Sequence, residues 1–526
     1  MFFIAIIKMK RFITLLLSVF FVLFSGCEKQ KIQYGVIPQG ITVTGKVDNY
    51  DPNRQVTVYI KRIGLEQENI TAKIDSAGYF TATFESYIPL DVVIGYKTNF
   101  YVLLHPGDSL FVRFDGNCDN LPELLETIAF GGDRAKTNRY AAKYQQLYFA
   151  NELYTDWDKK DKTVKEYDTE QYLLYLDTVK QKSKEIYDRF VAENRPDEES
   201  KRWALLFSER DYFHYLSFYA IDHRRANNMG WDNDWDVPKG FYDSLCNRLP
   251  IDPSMFISAG ALNSFSASFK DYVDDNMRGR ESTWIDEETG IEYTNWAVLP
   301  RGGLIAPVEI WDSIKIFSTI EFVPDSLLLQ IMLTRFFDSE FEKQEITAYE
   351  QYGDVVDTYI KEPFLKEPLH QKYLQTKSRI ENPQIYTGSF LKEATNLSVN
   401  QIINDILQPN KGKVIYVDFW ATWCGPCLAE MPNSKVLEHE LKDRDVVFVY
   451  ICLESEEKLW TATLDKYQLG GQHFFLSLKQ SADIRKLFEI SGIPFYLLID
   501  KNGAIIEKGS HLRPLNIREK ILREAQ

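Results

Sequence analysis

The sequence predicts an α/β domain at the C-terminus, preceded by a small antiparallel β-domain and a mostly α-helical middle domain. Three observations predict this order. From about residue 385 onward, short apolar runs alternate with helical patterns, as a sheet covered on both faces requires. Between Gly40 and Gly116, apolar and polar residues alternate and turn residues punctuate the runs. Between these regions, long charged segments carry apolar residues at helical spacing. The pattern divides the chain into 1–26, 27–120, 121–384 and 385–526.

The first 26 residues read as an export signal. Lys10 and Arg11 follow Met9, an apolar stretch runs from Phe12 to Phe24, and Ser25-Gly26-Cys27 closes it before polar Glu28-Lys29-Gln30. The stretch is short for a membrane-spanning helix. Its ending resembles a bacterial lipoprotein signal, with Phe24 where that family usually has Leu. The resemblance implies that Cys27 becomes the lipid-bearing first residue of the mature chain. The other reading is an uncleaved anchor with Cys27 as an ordinary thiol. Both place the bulk of the chain outside the cytoplasm and tied to a membrane.

In the β-domain, Val56, Val58 and Ile60 alternate with polar partners, as do Phe80, Ala82 and Phe84, with Phe111 and Phe114 on a shorter run. Asp51-Pro52-Asn53, Asp75-Ser76-Ala77-Gly78 and His105-Pro106-Gly107-Asp108 supply turns. In the middle region, Tyr172, Leu176, Val179, Ile186 and Phe190 mark one face of a helix, and Trp203 to Tyr219 is dense in aromatics. These aromatics fit a bundle core; the functional alternative is a groove for a polypeptide client. The acidic run Trp231 to Asp236 lacks a calcium loop's glycine, since Val237 stands there, and no Glu occupies the twelfth position, so it reads as an acidic loop. Pro363, Pro368 and Pro383 mark breaks before the last domain.

That domain reads as a buried strand from Val414 to Trp420 running into a helix at two cysteines. A second strand follows from Val446 to Leu453, then a helix from Glu456 to Tyr467 and another from Ser481 to Glu489. A strand from Phe495 to Ile499 turns at Asp500-Lys501-Asn502-Gly503 into a last strand from Ala504 to Glu507, and a helix from Leu515 to Glu524 closes it.

Composition narrows the function. A formal charge of −15, from 61 basic and 76 acidic residues, argues against nucleic-acid binding and against a broad electrostatic grip on anionic lipid. Attachment to a membrane then falls to the lipid on Cys27. Six cysteines, at 27, 118, 246, 424, 427 and 452, are too few for a disulfide scaffold. Only Cys424 and Cys427 are close together, and the seven histidines are scattered, so no metal site is expected. Cys452 sits in an apolar run as a small buried hydrophobe. Whether Cys118 and Cys246 pair stays open.

The chemistry lies in Val417-Asp418-Phe419-Trp420-Ala421-Thr422-Trp423-Cys424-Gly425-Pro426-Cys427, with Ile493-Pro494 much further on. A strand that stops at two cysteines on the first turn of a helix places a thiolate at the helix N-terminus. That position lowers its pKa and makes it nucleophilic near neutrality. Two intervening residues let the second sulfur reach back and resolve a mixed disulfide. This is the pattern of a dithiol–disulfide exchange site.

Asp418 through Cys427 resembles the active-site segment of the thioredoxin superfamily, and Leu428-Ala429-Glu430-Met431-Pro432 narrows the resemblance to its TlpA/ResA-type, membrane-tethered, extracytoplasmic branch. The resemblance covers about 385–526 and implies a thioredoxin fold there. It implies that Cys424, exposed at the helix start, attacks a client disulfide, and that shielded Cys427 resolves the mixed disulfide. Asp418 corresponds to the buried carboxylate that accepts a proton, and its apolar flanks suit a raised pKa. Glu430 corresponds to the branch's acid near the cysteines, or is a solvent-facing helix acid. Pro494 corresponds to the cis-proline that presents the backbone of Ile493 to an extended client. Trp423, Gly425 and Pro426 complete the client-facing rim, Trp420 packs, and Pro432 kinks the helix. Asp-Ser-Ala-Gly-Tyr-Phe at 75–80 and Pro-Gly-Asp-Ser-Leu at 106–110 look like the β-domain that precedes such modules in bacterial lipoproteins.

The leading functional expectation is therefore a lipid-anchored thiol–disulfide oxidoreductase in the cell envelope, facing the periplasm or extracytoplasmic space. Gly-Pro between the cysteines resembles reducing thioredoxins, which implies reduction of exported, disulfide-containing protein clients. No cofactor is needed beyond the Cys424–Cys427 pair, and the resemblance implies an integral membrane electron donor. The alternatives are an oxidase or isomerase of the same chemistry, or a client-binding envelope lipoprotein with a secondary redox module. The Thr and Arg cradle of a thiol peroxidase is missing around Cys424.

Overall fold

The computed structural model describes residues 35–151, 156–230, 235–278, 281–285, 292–296 and 308–526. The export signal, Cys27 and residues 231–234 of the acidic run lie outside them.

The N-terminal region consists of two four-stranded sheets. One joins β4 (Tyr79–Ser86), β1 (Gln39–Asp48), β7 (Ser109–Asp115) and β8 (Ala129–Gly132) in that order; the other joins β3 (Glu68–Ala72), β2 (Val56–Ile60), β5 (Leu90–Gly95) and β6 (Asn99–Leu104). Pairing is antiparallel except between β1 and β7, which run parallel. Period-two alternation sends Val56, Val58, Ile60, Phe80, Ala82, Phe84 and Phe114 into one shared core, whereas Phe111 falls on the outer face of β7.

The middle region is mostly helical: α1 (Leu121–Thr127), α2 (Ala135–Phe149), α3 (Trp157–Glu166), α4 (Thr169–Asn194), α5 (Glu198–Ala226), α6 (Ala259–Met277), α7 (Val308–Phe322), α8 (Ser326–Glu342), α9 (Thr347–Gln351), α10 (Gly353–Tyr359) and α11 (Pro363–Glu381). One hairpin, β9 (Glu281–Ile285) with β10 (Glu292–Trp296), interrupts it. Asp168 opens α4 with a capping box to Gln171, and Asp197 caps α5. The stripe Tyr172, Leu176, Val179, Ile186 and Phe190 is buried as its spacing requires, and Tyr172 stacks on Tyr219 at 3.9 Å. The aromatics named from the sequence thus serve largely as core.

The C-terminal region is a six-stranded sheet in the order β11 (Ser389–Lys392), β14 (Gly471–Phe475), β13 (Val446–Cys452), β12 (Val414–Trp420), β15 (Phe495–Ile499), β16 (Ile505–Gly509). The first four strands run parallel; β15 is antiparallel to β12, and β16 is antiparallel to β15. Helices α12 (Val399–Leu407) and α15 (Leu478–Phe488) pack on one face; α13 (Gly425–Leu441), α14 (Glu457–Tyr467) and α16 (Pro514–Glu524) pack on the other. All seven residues of β12 are buried, with Ile415, Val417 and Phe419 facing one layer and Val414, Tyr416 and Trp420 the other.

Charged groups tie the regions together. Asp91 on β5 is buried and accepts hydrogen bonds from Trp203 Nε1 at 3.0 Å and Ser258 Oγ at 3.2 Å. Asp338 on α8 accepts from the backbone N–H of Glu66 at 2.8 Å and pairs with Lys372 on α11 at 2.6 Å. Lys372 also meets Glu342, which pairs in turn with Lys466 on α14. This chain of charges fixes the C-terminal domain against the helices. Replacing Lys466 by Met leaves Glu342 buried with one cation fewer, so stability in urea unfolding is expected to fall by about 2 kcal/mol. An unchanged unfolding curve would remove this link.

Candidate functional site

Strand β12 ends at Trp420, and a short turn carries the chain to α13, whose N-cap is Cys424. Cys424 Sγ accepts a hydrogen bond from the backbone N–H of Cys427 at 3.2 Å, as a capping side chain does. Pro426 stands in the first turn, where its missing N–H costs nothing. Cys424 and Cys427 are joined by a disulfide with their Cα atoms 5.2 Å apart.

The expected exposure of Cys424 is corrected here: in this disulfide form it is only 4% exposed, and Cys427 1%. Its sulfur is bonded inward to Cys427, and it joins the core cluster that contains Trp420, Leu428 and Met431. The rim that meets solvent is Trp423, Gly425 and Pro426. Trp423 is half exposed, and its indole N–H donates to the carbonyl of Glu454 at 2.7 Å. The loop after β13 holds this rim: Ser455 Oγ accepts from the N–H of Thr422 at 3.0 Å, and Arg485 grips the Glu454 carboxylate at 2.7 and 3.0 Å. Trp420 is fully buried packing. The Ile493–Pro494 bond is cis; Pro494 is buried and Ile493 half-buried at the start of β15.

Asp418 lies in mid-sheet, opposite Tyr450 on β13 and Tyr496 on β15. It is 2% exposed, and its Oδ1 and the Tyr496 hydroxyl are both buried without a hydrogen-bond partner. Burial, then the charge of Glu430, pushes the Asp418 carboxyl well above the usual carboxylate range. A carboxyl so placed can hold or take up a proton near neutrality. Tyr416 stacks on Tyr496 at 5.5 Å and donates its hydroxyl to the carbonyl of Leu512 at 2.6 Å.

Glu430 faces inward rather than to solvent. One carboxylate oxygen accepts from Arg513 Nη1 at 2.7 Å and the other from Asn433 Nδ2 at 3.0 Å. Arg513, Asn433, Tyr416 and Tyr496 were not singled out from the sequence. Arg513 is distant in the chain, and the pattern around it signals only a helix start at Pro514. Of the other cysteines, Cys452 is buried, which pushes its thiol up to about 12, and Cys118 and Cys246 are not bonded to each other. Among the described residues no cluster of His, Cys, Asp and Glu could hold a metal ion, and no helix is long and apolar enough to cross a membrane.

A thioredoxin-like family profile matches residues 412–505, the span that contains Asp418, both cysteines, Glu430 and Pro494. The C-terminal domain belongs to the thioredoxin-like family. This thioredoxin-like domain is similar to thiol-disulfide oxidoreductase ResA of Oceanobacillus iheyensis, 34% identical over 97 residues that cover 18% of this chain and 49% of that protein. A ResA of Bacillus thuringiensis subsp. konkukian is 27% identical over 134 residues, covering 24% of this chain and 76% of that protein. The chain thus spans about half the length of the first of these relatives and about three quarters of the second. A solved putative thiol-disulfide oxidoreductase from Bacteroides vulgatus is 34% identical, covers 22% of this chain and 82% of that one, and has a TM-score of 0.20.

Proposed function

We propose that the thioredoxin-like domain is a thiol–disulfide oxidoreductase that reduces disulfides of exported protein clients through Cys424 and Cys427. The observation that carries this reading is the Cys424–Cys427 pair at the N-terminus of α13, next to a strand that buries the Asp418 carboxyl and thereby raises its pKa. In the first step the Cys424 thiolate attacks a client disulfide, forms a mixed disulfide and expels one client thiolate. Asp418 then takes the proton of the Cys427 thiol, and the Cys427 thiolate attacks Cys424 Sγ. The second client sulfur leaves as a thiolate and is protonated by water. The client gains two electrons, and the domain ends with the Cys424–Cys427 disulfide and a protonated Asp418. The upward push that burial gives the Asp418 carboxyl supports its keeping that proton. An external dithiol, in this reading an integral membrane donor, returns the electron pair. Lipid on Cys27 would keep the domain at the membrane, facing the extracytoplasmic space.

Gly425-Pro426 supports the reducing direction, because no histidine between the cysteines favours the thiolate over the disulfide. The reduction potential of the pair tests this. Equilibration of the purified chain with glutathione is expected to give about −270 mV or lower. A value near about −120 mV would make the domain a disulfide donor instead. No exchange at all would end the enzymatic reading.

A further inference from the structure

We infer that Arg513 is a positioning residue for the dithiol: by pairing with Glu430 it neutralises that carboxylate and sets the pH at which the cysteines become nucleophilic. This rests on the exchange chemistry proposed above.

Glu430 sits on α13 one turn beyond Cys427, buried among groups from several elements. From β12 it is faced by Asp418 and Tyr416, and from β15 by Tyr496, all three of which feel its charge. Its own helix contributes Cys427, three positions earlier and also buried, and Asn433, and the segment before α16 contributes Arg513. Tyr450, also beside Asp418, is engaged with Glu438. Arg513 is the only cation in this set. Its guanidinium bridges 83 positions of sequence to reach Glu430, with its side chain 40% exposed, so it closes the site from the solvent side. Two carboxylates near one dithiol both oppose a new thiolate, and a like charge close by disfavours ionisation. With Arg513 in place, one of the two charges is matched. Without it, Glu430 stands as an unmatched anion one turn from Cys427, while Asp418 Oδ1 and the Tyr496 hydroxyl, both buried without a partner, offer no compensating charge.

The test uses the reduced full chain and needs no client: the rate of Cys424 alkylation by iodoacetamide as a function of pH. In Arg513→Met the profile is expected to move upward by about one pH unit, and in Glu430→Gln downward, because Arg513 is then unmatched. The double variant is expected to return close to the wild-type profile. An unmoved profile in Arg513→Met, or a shift that Glu430→Gln does not cancel, overturns the inference and leaves Arg513 as a structural contact only. Should Arg513→Met fail to fold, Arg513→Lys decides. It keeps the charge and is expected to keep the profile, so a displaced profile in that variant overturns the inference equally. Failure of the exchange reading looks different: ordinary alkylation with no disulfide exchange in the wild-type chain.

Discussion

Replacing Cys424 by Ser is expected to abolish disulfide exchange, whereas Cys427→Ser leaves the first step intact and strands the protein in a mixed disulfide with its client. The asymmetry follows from the local structure. Cys424 is the N-cap of α13 and sits where the helix dipole and free N–H groups favour a negative sulfur. Cys427 lies inside the first turn, where it can reach Cys424 but is set back from the solvent-facing rim of Trp423, Gly425 and Pro426. Non-reducing electrophoresis of cells that express each variant reads this out. Cys427→Ser should give ladders of client adducts that collapse on reduction, and Cys424→Ser should give none. Insulin reduction should fall to background in both, because turnover needs the second attack. Adducts formed equally by the two variants would show that the sulfurs are interchangeable. Adducts only with Cys424→Ser would reverse the assignment.

How legible this was in the sequence depended on how each residue is held. Strands β12 and β15 were read from Val414 to Trp420 and from Phe495 to Ile499, as observed, because continuous apolar runs belong to buried central strands. Strands β11 and β14 were not read. The first, Ser389–Lys392, is an exposed edge of four residues with no buried face to leave an alternating pattern. The second, Gly471–Phe475, is five residues long and opens on a glycine at φ +83, where a side chain would meet the Phe448 carbonyl. Parallel pairing of β1 with β7 was equally invisible, since alternation is the same in either direction. At the site, the contiguous motif gave Asp418, both cysteines and Glu430. The partners that decide their electrostatics, Tyr496 and Arg513, come from β15 and the approach to α16, and only the packed sheet brings them near. The burial of Cys424 also needed the structure, because it depends on the sulfur being turned inward by the disulfide.

Asp418→Asn is expected to slow exchange by about 100-fold or more while making the disulfide form relatively more stable as pH rises. The kinetic part follows from the loss of the group that takes the Cys427 proton, since positioned general bases contribute about 100- to 10,000-fold. The stability part follows from the direction of the Asp418 shift. Burial first, and the charge of Glu430 second, raise the folded-state pKa above the unfolded one. Such a group gives its full stabilisation below the unfolded value, near pH 4, and loses it progressively as pH climbs toward the folded value. Asparagine stays neutral throughout and does not suffer that loss. It also buries an amide beside the unpartnered Tyr496 hydroxyl, a cost that does not vary with pH. The diagnostic is therefore the slope and not the offset. Urea unfolding of the two oxidised proteins between pH 5 and pH 8 should show the difference moving steadily in favour of Asp418→Asn. A difference that stays flat over this range would mean that Asp418 is ionised in the fold at no unusual cost, and it could not then be the proton store of the site. A sloping difference with undiminished exchange would keep the buried acid but assign the proton transfer to another group.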